Sequence, residues 1–301
     1  MEAQTSGCVF LVRPRAFGFH AEAAASNAFA QAAGGAEVAI QALAEFDELA
    51  AALDAAGVET IIFDDRDGPD AVFPNNIMSF HADGTLVLYP MATAARRLER
   101  DTDALLALLE RSGFAVRQTI DLTGHEQHGR FLEGTGSLIL DRPRRRAFAS
   151  RSARTDPAVV TDFDEALGYS TLLFDAFDAA GRPIYHTNVL LSLGADFAIL
   201  CSEAVPSGQR AGLIDSLNRT VIHVSHEQMQ RFACNLIELR GRGGAPIIAL
   251  SAAALASFTP DQRRQLEGFA TLVPIAIPTI EAVGGGSVLC MIADMHLPRM
   301  R

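Results

Sequence analysis

Short apolar runs and helical stretches alternate along this chain in a repeating order, and that order limits the folds available to it. Runs with strand character occupy 9–12, 37–41, 60–63, 85–89, 115–120, 137–140, 146–149 and 170–176, then 185–193, 197–201, 220–224, 236–240, 246–250, 271–275 and 287–296. Helical periodicity occupies 46–56, 96–112, 157–167, 207–217, 226–232 and 260–269, several of these stretches being introduced by Asp, Ser or Thr caps. The pattern reads as about five passes of two strands, one helix and one strand, each of roughly 50 to 65 residues. No Pro- or Ser-rich linker divides the chain, so residues 1–301 are expected to form one domain. Sheet units repeated in this way can close radially into a propeller, with loops gathered around a central channel. A doubly wound open sheet is the competing architecture. Identity between the passes is too weak to establish a repeat from residues alone.

Composition removes several classes of function. With 49% hydrophobic and 20% charged residues in 301, the chain can bury a large core without disulfides. All 25 cations are arginine, set against 36 acidic residues, for a net charge of −11, which argues against a nucleic-acid footprint. The one arginine run, Arg144, Arg145 and Arg146, follows Pro143 and reads as a turn leading into a solvated strand edge. Residues 1–7 have no basic leader region, and no apolar run reaches the roughly 18 to 20 residues of a membrane span. A soluble cytoplasmic protein is expected. Cys8, Cys201, Cys234 and Cys290 are scattered singly, without zinc-site spacing, and the first three read as buried thiols.

Cys290 differs because of what precedes it, in Gly284-Gly285-Gly286-Ser287-Val288-Leu289-Cys290-Met291. Three glycines permit close backbone approach to a ligand and deliver the chain into a run whose early residue is a thiol. Alone, this segment fits a nucleophile at a channel mouth or a buried strand cysteine behind a glycine turn. A thiol attacking carbon needs an imidazole to move protons. Of eight histidines, His186 in Tyr185-His186-Thr187-Asn188 begins a strong strand and can be held rigidly beside a polar loop. His125 and His128, in GHEQHGR, read as a solvated loop or lid, and His20, His223, His226 and His296 show no partner pattern. Glu133, in Phe131-Leu132-Glu133-Gly134-Thr135-Gly136-Ser137, could hold a substrate nitrogen or orient the imidazole. Asn75 and Asn76 close the segment 69–76, Pro-Asp-Ala-Val-Phe-Pro-Asn-Asn, where an asparagine pair ordinarily marks a turn.

Together and in this order, these segments resemble the guanidine-modifying superfamily of arginine deiminases, dimethylarginine hydrolases and amidinotransferases. GGGSVLCM resembles the arginine-deiminase nucleophile segment, YHTN its histidine segment and FLEGTGS its Glu-Gly-Gly strand. PDAVFPNN resembles the dimethylarginine-hydrolase segment that ends in two acidic substrate-binding residues, and Ser152-Ala153-Arg154-Thr155 resembles a carboxylate-binding segment. The resemblance spans nearly the whole chain. It implies an α/β fold, a five-bladed pseudo-symmetric α/β propeller (pentein) of repeated ββαβ units with its site in the central channel. It further implies Cys290 as nucleophile, His186 as general acid and base, Glu133 as supporting carboxylate, Arg154 on the substrate carboxylate and Asp70 near its amino group. Arg96 or Arg97 resembles a second carboxylate-binding arginine. No cofactor and no metal are implied.

Departures from the family pattern carry the substrate expectation. Asn75 and Asn76 replace carboxylates, and Asn188 stands where arginine deiminases have Asp. A buried guanidinium without anionic partners would cost several kcal/mol. A neutral ureido group offers a carbonyl and N–H groups that carboxamides can match. The pattern FPNN, His81, Gly84, Tyr89-Pro90-Met91 and Arg96-Arg97 most resembles the citrulline-utilisation subgroup, with His81 and Asn75 as further pocket candidates. The expected activity is a cysteine-dependent conversion of citrulline to ornithine, carbon dioxide and ammonia through a thiocarbamoyl enzyme. Asn76 and Asn188 would stabilise the reacting group. The alternatives are an amidinohydrolase or amidinotransferase acting on a guanidine, and a non-enzymatic propeller like the ribosomal anti-association factor of the same general fold. The expected partner is a small amino-acid substrate, with no nucleic acid and no membrane, and a homo-oligomer is left open.

Overall fold

The structure, a computed structural model, describes residues 2–64 and 68–300. The span 1–301 taken above as one domain therefore includes Met1, residues 65–67 and Arg301, which lie outside the described residues. The described strands form five three-stranded sheets. The first contains β1 (Cys8–Val12) and β2 (Glu59–Phe63), and the second β3 (Met78–Phe80), β4 (Thr85–Leu88) and β5 (Gln118–Asp121). The third contains β6 (Ile139–Asp141), β7 (Arg146–Ser150) and β8 (Ser170–Phe174), and the fourth β9 (Leu191–Leu193), β10 (Phe197–Leu200) and β11 (Thr220–His223). The fifth contains β12 (Ile237–Arg240), β13 (Pro246–Ser251) and β14 (Thr271–Ile275). In each of these last four sheets the middle strand pairs antiparallel with the strand before it and parallel with the strand after it.

The first sheet is completed from the other end of the chain. β15 (Ala293–Asp294) pairs antiparallel with β1, Val9 opposite Asp294 and Phe10 opposite Ala293, so the two ends of the chain close the ring. This is the α/β arrangement of five ββαβ blades expected from the repeated passes. Middle strands are the most buried because both edges and both faces are covered, and CVFLV of β1, TLVL of β4 and FAIL of β10 are buried throughout. Parallel pairs require crossovers, which the helices Ala36–Ala55, Thr102–Arg111, Pro157–Leu167, Ser207–Leu217 and Pro260–Phe269 supply. Their starts are chemically defined. Asp101 and Asp156 accept from Ala104 and Ala158 N–H, and Thr259 with Gln262 forms a capping box ahead of Pro260.

Several local expectations are corrected. The run 37–41 lies within the helix Ala36–Ala55, because Ala42, Phe46, Leu49 and Leu53 form one buried stripe that captures the preceding turn. The helical stretch 96–112 is two helices, Ala94–Arg97 and Thr102–Arg111. Arg146 opens β7, the middle strand of its sheet and not an edge. The run 185–193 is interrupted by a helical turn at Thr187–Val189, and in 287–296 only Ala293–Asp294 is strand. Cys290 therefore sits in a turn, its N–H bonded to the Ser287 carbonyl at 2.9 Å. No helix of the described residues is long and apolar enough to cross a membrane.

Candidate active site

Connections between the blades converge on one cavity. It is lined by Ala23 and Asn27 ahead of the first crossover helix, Asp70, Phe73 and Asn76 between β2 and β3, and Arg96 between β4 and β5. Arg154 follows β7, Tyr185 and His186 precede β9, and Gly284, Gly285, Gly286 and Cys290 lie between β14 and β15. Residues up to 267 positions apart thus share one wall because each blade contributes a loop at the same end.

The thiol of Cys290 is buried and held by two carboxamides. Asn188 Nδ2 and Asn235 Nδ2 each donate to Sγ at 3.2 Å, while Asn235 Oδ1 accepts the Cys290 N–H at 3.3 Å. Burial pushes the Cys290 thiol up, against the backbone hydrogen bond at Ser287, the two asparagine donors and the charge of Arg96. Asn188 Oδ1 is buried without a partner. Its acceptor capacity remains for something else in the site.

His186 Nε2 meets Glu133 Oε2 at 2.8 Å, which leaves Nδ1 as the ring nitrogen free for proton transfer. The same oxygen accepts from Arg154 at 3.1 Å, and Glu133 Oε1 accepts the Ala92 N–H at 3.0 Å. Burial alone would raise the Glu133 carboxyl, but Arg154 and His186 outweigh it and hold the group well below the carboxylate range. Burial pushes His186 down to about 4 despite Glu133, so the resting pair is a neutral thiol and a neutral imidazole. Glu133 immediately precedes the helical turn Gly134–Ser137, which replaces the start of the expected strand. Gly134 has φ +45°, and a Cβ there would lie 2.2 Å from the Asn75 carbonyl. A Cβ on Gly136 would lie 2.5 Å from Asn76 Nδ2 and 2.9 Å from His186 Nδ1, so only glycine lets this turn pass between them.

At the other side of the cavity, Asp70 Oδ2 meets His20 Nδ1 at 2.7 Å, a bond that raises His20 above its ordinary value against burial. Arg154 also donates to Ala23 O and Ser26 Oγ, each at 2.7 Å, and lies over the Tyr185 ring. Of the two candidate arginines it is Arg96 that lines the cavity. It is fully buried and donates to Asn76 Oδ1 at 2.6 Å, Glu99 Oε2 at 3.1 Å and Phe73 O at 2.8 Å.

Cys290, His186, Glu133, Asn76, Asn188, Asp70, Arg154 and Arg96 are thus brought together, and three other candidates are not. Arg97 turns away, donating to the carbonyls of Met91 and Ala92 and stacking over Phe131. Asn75 stands behind Asn76, accepting its amide at 2.9 Å, outside the cavity wall. His81 is buried elsewhere, with Nε2 on Ser79 at 2.9 Å and its ring edge-on to Tyr169. A strand-to-strand turn takes its side chain into the core, and burial lowers its basicity. Asn235, Asn27 and His20 are site residues that no local pattern marks, and Tyr185 stood in the histidine segment without a role assigned to it. For Asn235 the one available signal was a polar residue between the buried Cys234 and Leu236.

Five closed blades and a thiol, imidazole and carboxylate on converging loops define a class: an α/β propeller of the guanidine-modifying superfamily, hydrolases acting on C–N bonds. The chain belongs to the family described as N,N dimethylarginine dimethylhydrolase, eukaryotic, whose model matches residues 13–297. No curated protein sequence matches it. Among solved structures it is similar to ArgZ, an arginine dihydrolase from the ornithine-ammonia cycle in Cyanobacteria, in its apo form, with 16% identity, a TM-score of 0.76 and 97% of this chain covered. The chain spans 41% of that protein, and 96% of the isolated ArgZ N-terminal domain bound to substrate, with a TM-score of 0.75, 16% identity and 95% of this chain covered. A dimethylarginine dimethylaminohydrolase variant, seen as an adduct with S-methyl-L-thiocitrulline, matches 96% of this chain over 98% of its own, with 12% identity and a TM-score of 0.66. At these identities the likeness shows the fold.

Proposed function

We propose that the protein is a cysteine-dependent hydrolase of a ureido amino acid, with citrulline converted to ornithine, carbon dioxide and ammonia. The observation that carries this reading is the charge balance around the sulfur. The groups touching Cys290 Sγ are carboxamides, Glu133 already serves both His186 and Arg154, and Arg96 is fully buried in the cavity wall. A neutral ureido group meets no uncompensated charge there, whereas a guanidinium would lack a free carboxylate. Asp70 and Arg154 would face the substrate's amino and carboxylate groups, which requires Arg154 to exchange its bonds to Ala23 and Ser26.

The sulfur and the ring are neutral at rest, so attack is coupled to proton transfer. His186 Nδ1 takes the thiol proton as Sγ bonds to the ureido carbon and the carbonyl π electrons move to oxygen. The amides of Asn188 and Asn235, released from the sulfur as its lone pair forms the new bond, then stabilise that oxyanion. Return of the proton to the departing nitrogen breaks a C–N bond and leaves a thiocarbamoyl enzyme. When the δ-nitrogen departs, ornithine is the first product. His186 next deprotonates a water, whose attack expels the thiolate and yields carbamate, which decomposes to carbon dioxide and ammonia. Glu133 keeps Nε2 protonated and stabilises the transient imidazolium.

Hydrolysis of a guanidine is the second reading, favoured by the unpartnered Asn188 Oδ1, an acceptor that a guanidinium N–H would fill. We further infer that residues 1–301 act as one catalytic domain, since the site draws on loops from every blade, and that four free thiols suit a reducing, cytoplasmic setting. Ammonia release from citrulline and from arginine, with Cys290→Ala as the blank, tests the proposal. Release from citrulline that the variant loses is expected. Release from arginine alone would overturn the ureido reading, and full turnover in Cys290→Ala would overturn the mechanism.

A further inference from the structure

Outside the cavity, β10 is followed at once by Cys201, whose sulfur lies 4.0 Å from His226 Nδ1. Glu203 reaches the same place, its Oε2 accepting the His226 N–H at 3.0 Å. One donor atom from each of these three residues lies within 4.8 Å of the other two. Cys201 is buried, His226 half-buried and Glu203 exposed, so the thiol forms the floor of a site open to solvent.

Three features organise this group for an ion. Cys201 precedes the tight turn Ser202–Ala204, and the Ala204 N–H closes that turn on the Cys201 carbonyl at 3.1 Å, which fixes the backbone that carries the thiol. His226 is the first residue of the helix His226–Gln230, whose Ser225–Gln228 capping box fixes where the imidazole stands. A tetrahedral zinc ion, with Zn–S and Zn–N bonds of about 2.3 and 2.0–2.1 Å, separates sulfur from nitrogen by about 3.6 Å. The present 4.0 Å is near that value, and the exposed Glu203 is the arm with room to close.

We propose that Cys201, Glu203 and His226 bind a thiophilic divalent cation of the zinc class, with a fourth position left to water. One thiolate, one imidazole and one carboxylate suit Zn²⁺ or Co²⁺ and discriminate against Mg²⁺ and Ca²⁺, which take oxygen ligands. Binding forms the metal–sulfur bond and releases the Cys201 proton to solvent. The bound ion ties the end of β10 to a helix that leads, five residues past its last residue Gln230, to Asn235 and the catalytic sulfur. The site is independent of the substrate assignment above.

The test uses the full chain carrying Cys290→Ala, which removes the other thiol beside an imidazole. Titration with Co²⁺ is expected to give thiolate-to-cobalt charge-transfer absorption saturating at one ion per chain and reversed by Zn²⁺. His226→Ala, at a half-buried surface position, is expected to weaken binding at least tenfold, and Cys201→Ala to abolish the band. Glu203→Gln should weaken binding while keeping the band. Absence of the band in the Cys290→Ala protein, or its survival at full stoichiometry after His226→Ala, would overturn the proposal. The His226→Ala measurement remains decisive even when the buried Cys201→Ala change prevents folding.

Discussion

Asn188→Asp changes the charge at the sulfur with almost no change in volume, and so tests the neutral-pocket reading directly. The amide nitrogen that donates to Cys290 Sγ at 3.2 Å becomes a carboxylate oxygen. At an effective dielectric constant of about 20, a carboxylate and a thiolate at that separation repel by about 5 kcal/mol. That equals a rise of about three to four pK units in the thiol, or a fall of about 10³ or more in thiolate at neutral pH. Alkylation by iodoacetamide, followed against pH, reads the thiolate without any assumption about substrate. Its apparent pKa should move up by several units, and citrulline turnover should fall by about 10³. Arginine should suffer less, because its guanidinium supplies the countercharge, and the arginine-to-citrulline ratio of kcat/KM should rise by about 10² or more. An unchanged alkylation profile, or citrulline turnover kept within about threefold of wild type, would refute the reasoning.

Asn235→Ala removes the second donor to the sulfur and the donor to the Asn188 carbonyl, while the Cys290 N–H keeps its bond to the Ser287 carbonyl, so urea unfolding should show a loss of about 1–3 kcal/mol, alongside a raised alkylation pKa. Gly136→Ala drives a methyl group against Asn76 and His186; we expect about 1–3 kcal/mol of destabilisation and at least a hundredfold loss of kcat, since small displacements of reacting groups are costly. Glu133 is held below its unfolded value of about 4.5, so its contribution is complete above that pH and disappears as pH falls through the depressed folded value. The stability difference between wild type and Glu133→Gln, measured by thermal or urea unfolding, should therefore be largest above about pH 5 and shrink on acidification. His186, lowered to about 4 from 6.5, also disfavours the fold as pH drops between those values, so wild type should begin to lose stability from about pH 6.5 downward.

Much of the fold was legible because strand and helix periods differ and recur. The runs at 197–201, 220–224 and 246–250 read as strands and are β10, β11 and β13, and the helices Pro157–Leu167 and Pro260–Phe269 were visible from their caps and apolar spacing. The misreadings share a cause. Residues 37–41 carry a pattern compatible with either period, and only the buried stripe farther along the helix decides it. Residues 287–296 look like one apolar strand, yet the Gly284–Gly286 segment must turn Cys290 into the cavity, which leaves two residues to pair with β1.

Residue chemistry along the chain determined which groups could form a thiol, imidazole and carboxylate set, and showed that asparagine stands where acidic partners would be expected. Those are local properties, readable from type and order. The tertiary structure alone decided that Arg96 and not Arg97 faces the cavity, that His81 is turned into the core, and that Asn235 from another blade holds the sulfur. Ring closure brings loops from distant parts of the chain to one end, and which side chain points inward there depends on turn geometry and on packing against neighbouring blades. No pattern confined to one segment encodes such a contact, because the partner that completes it arrives from elsewhere in the chain.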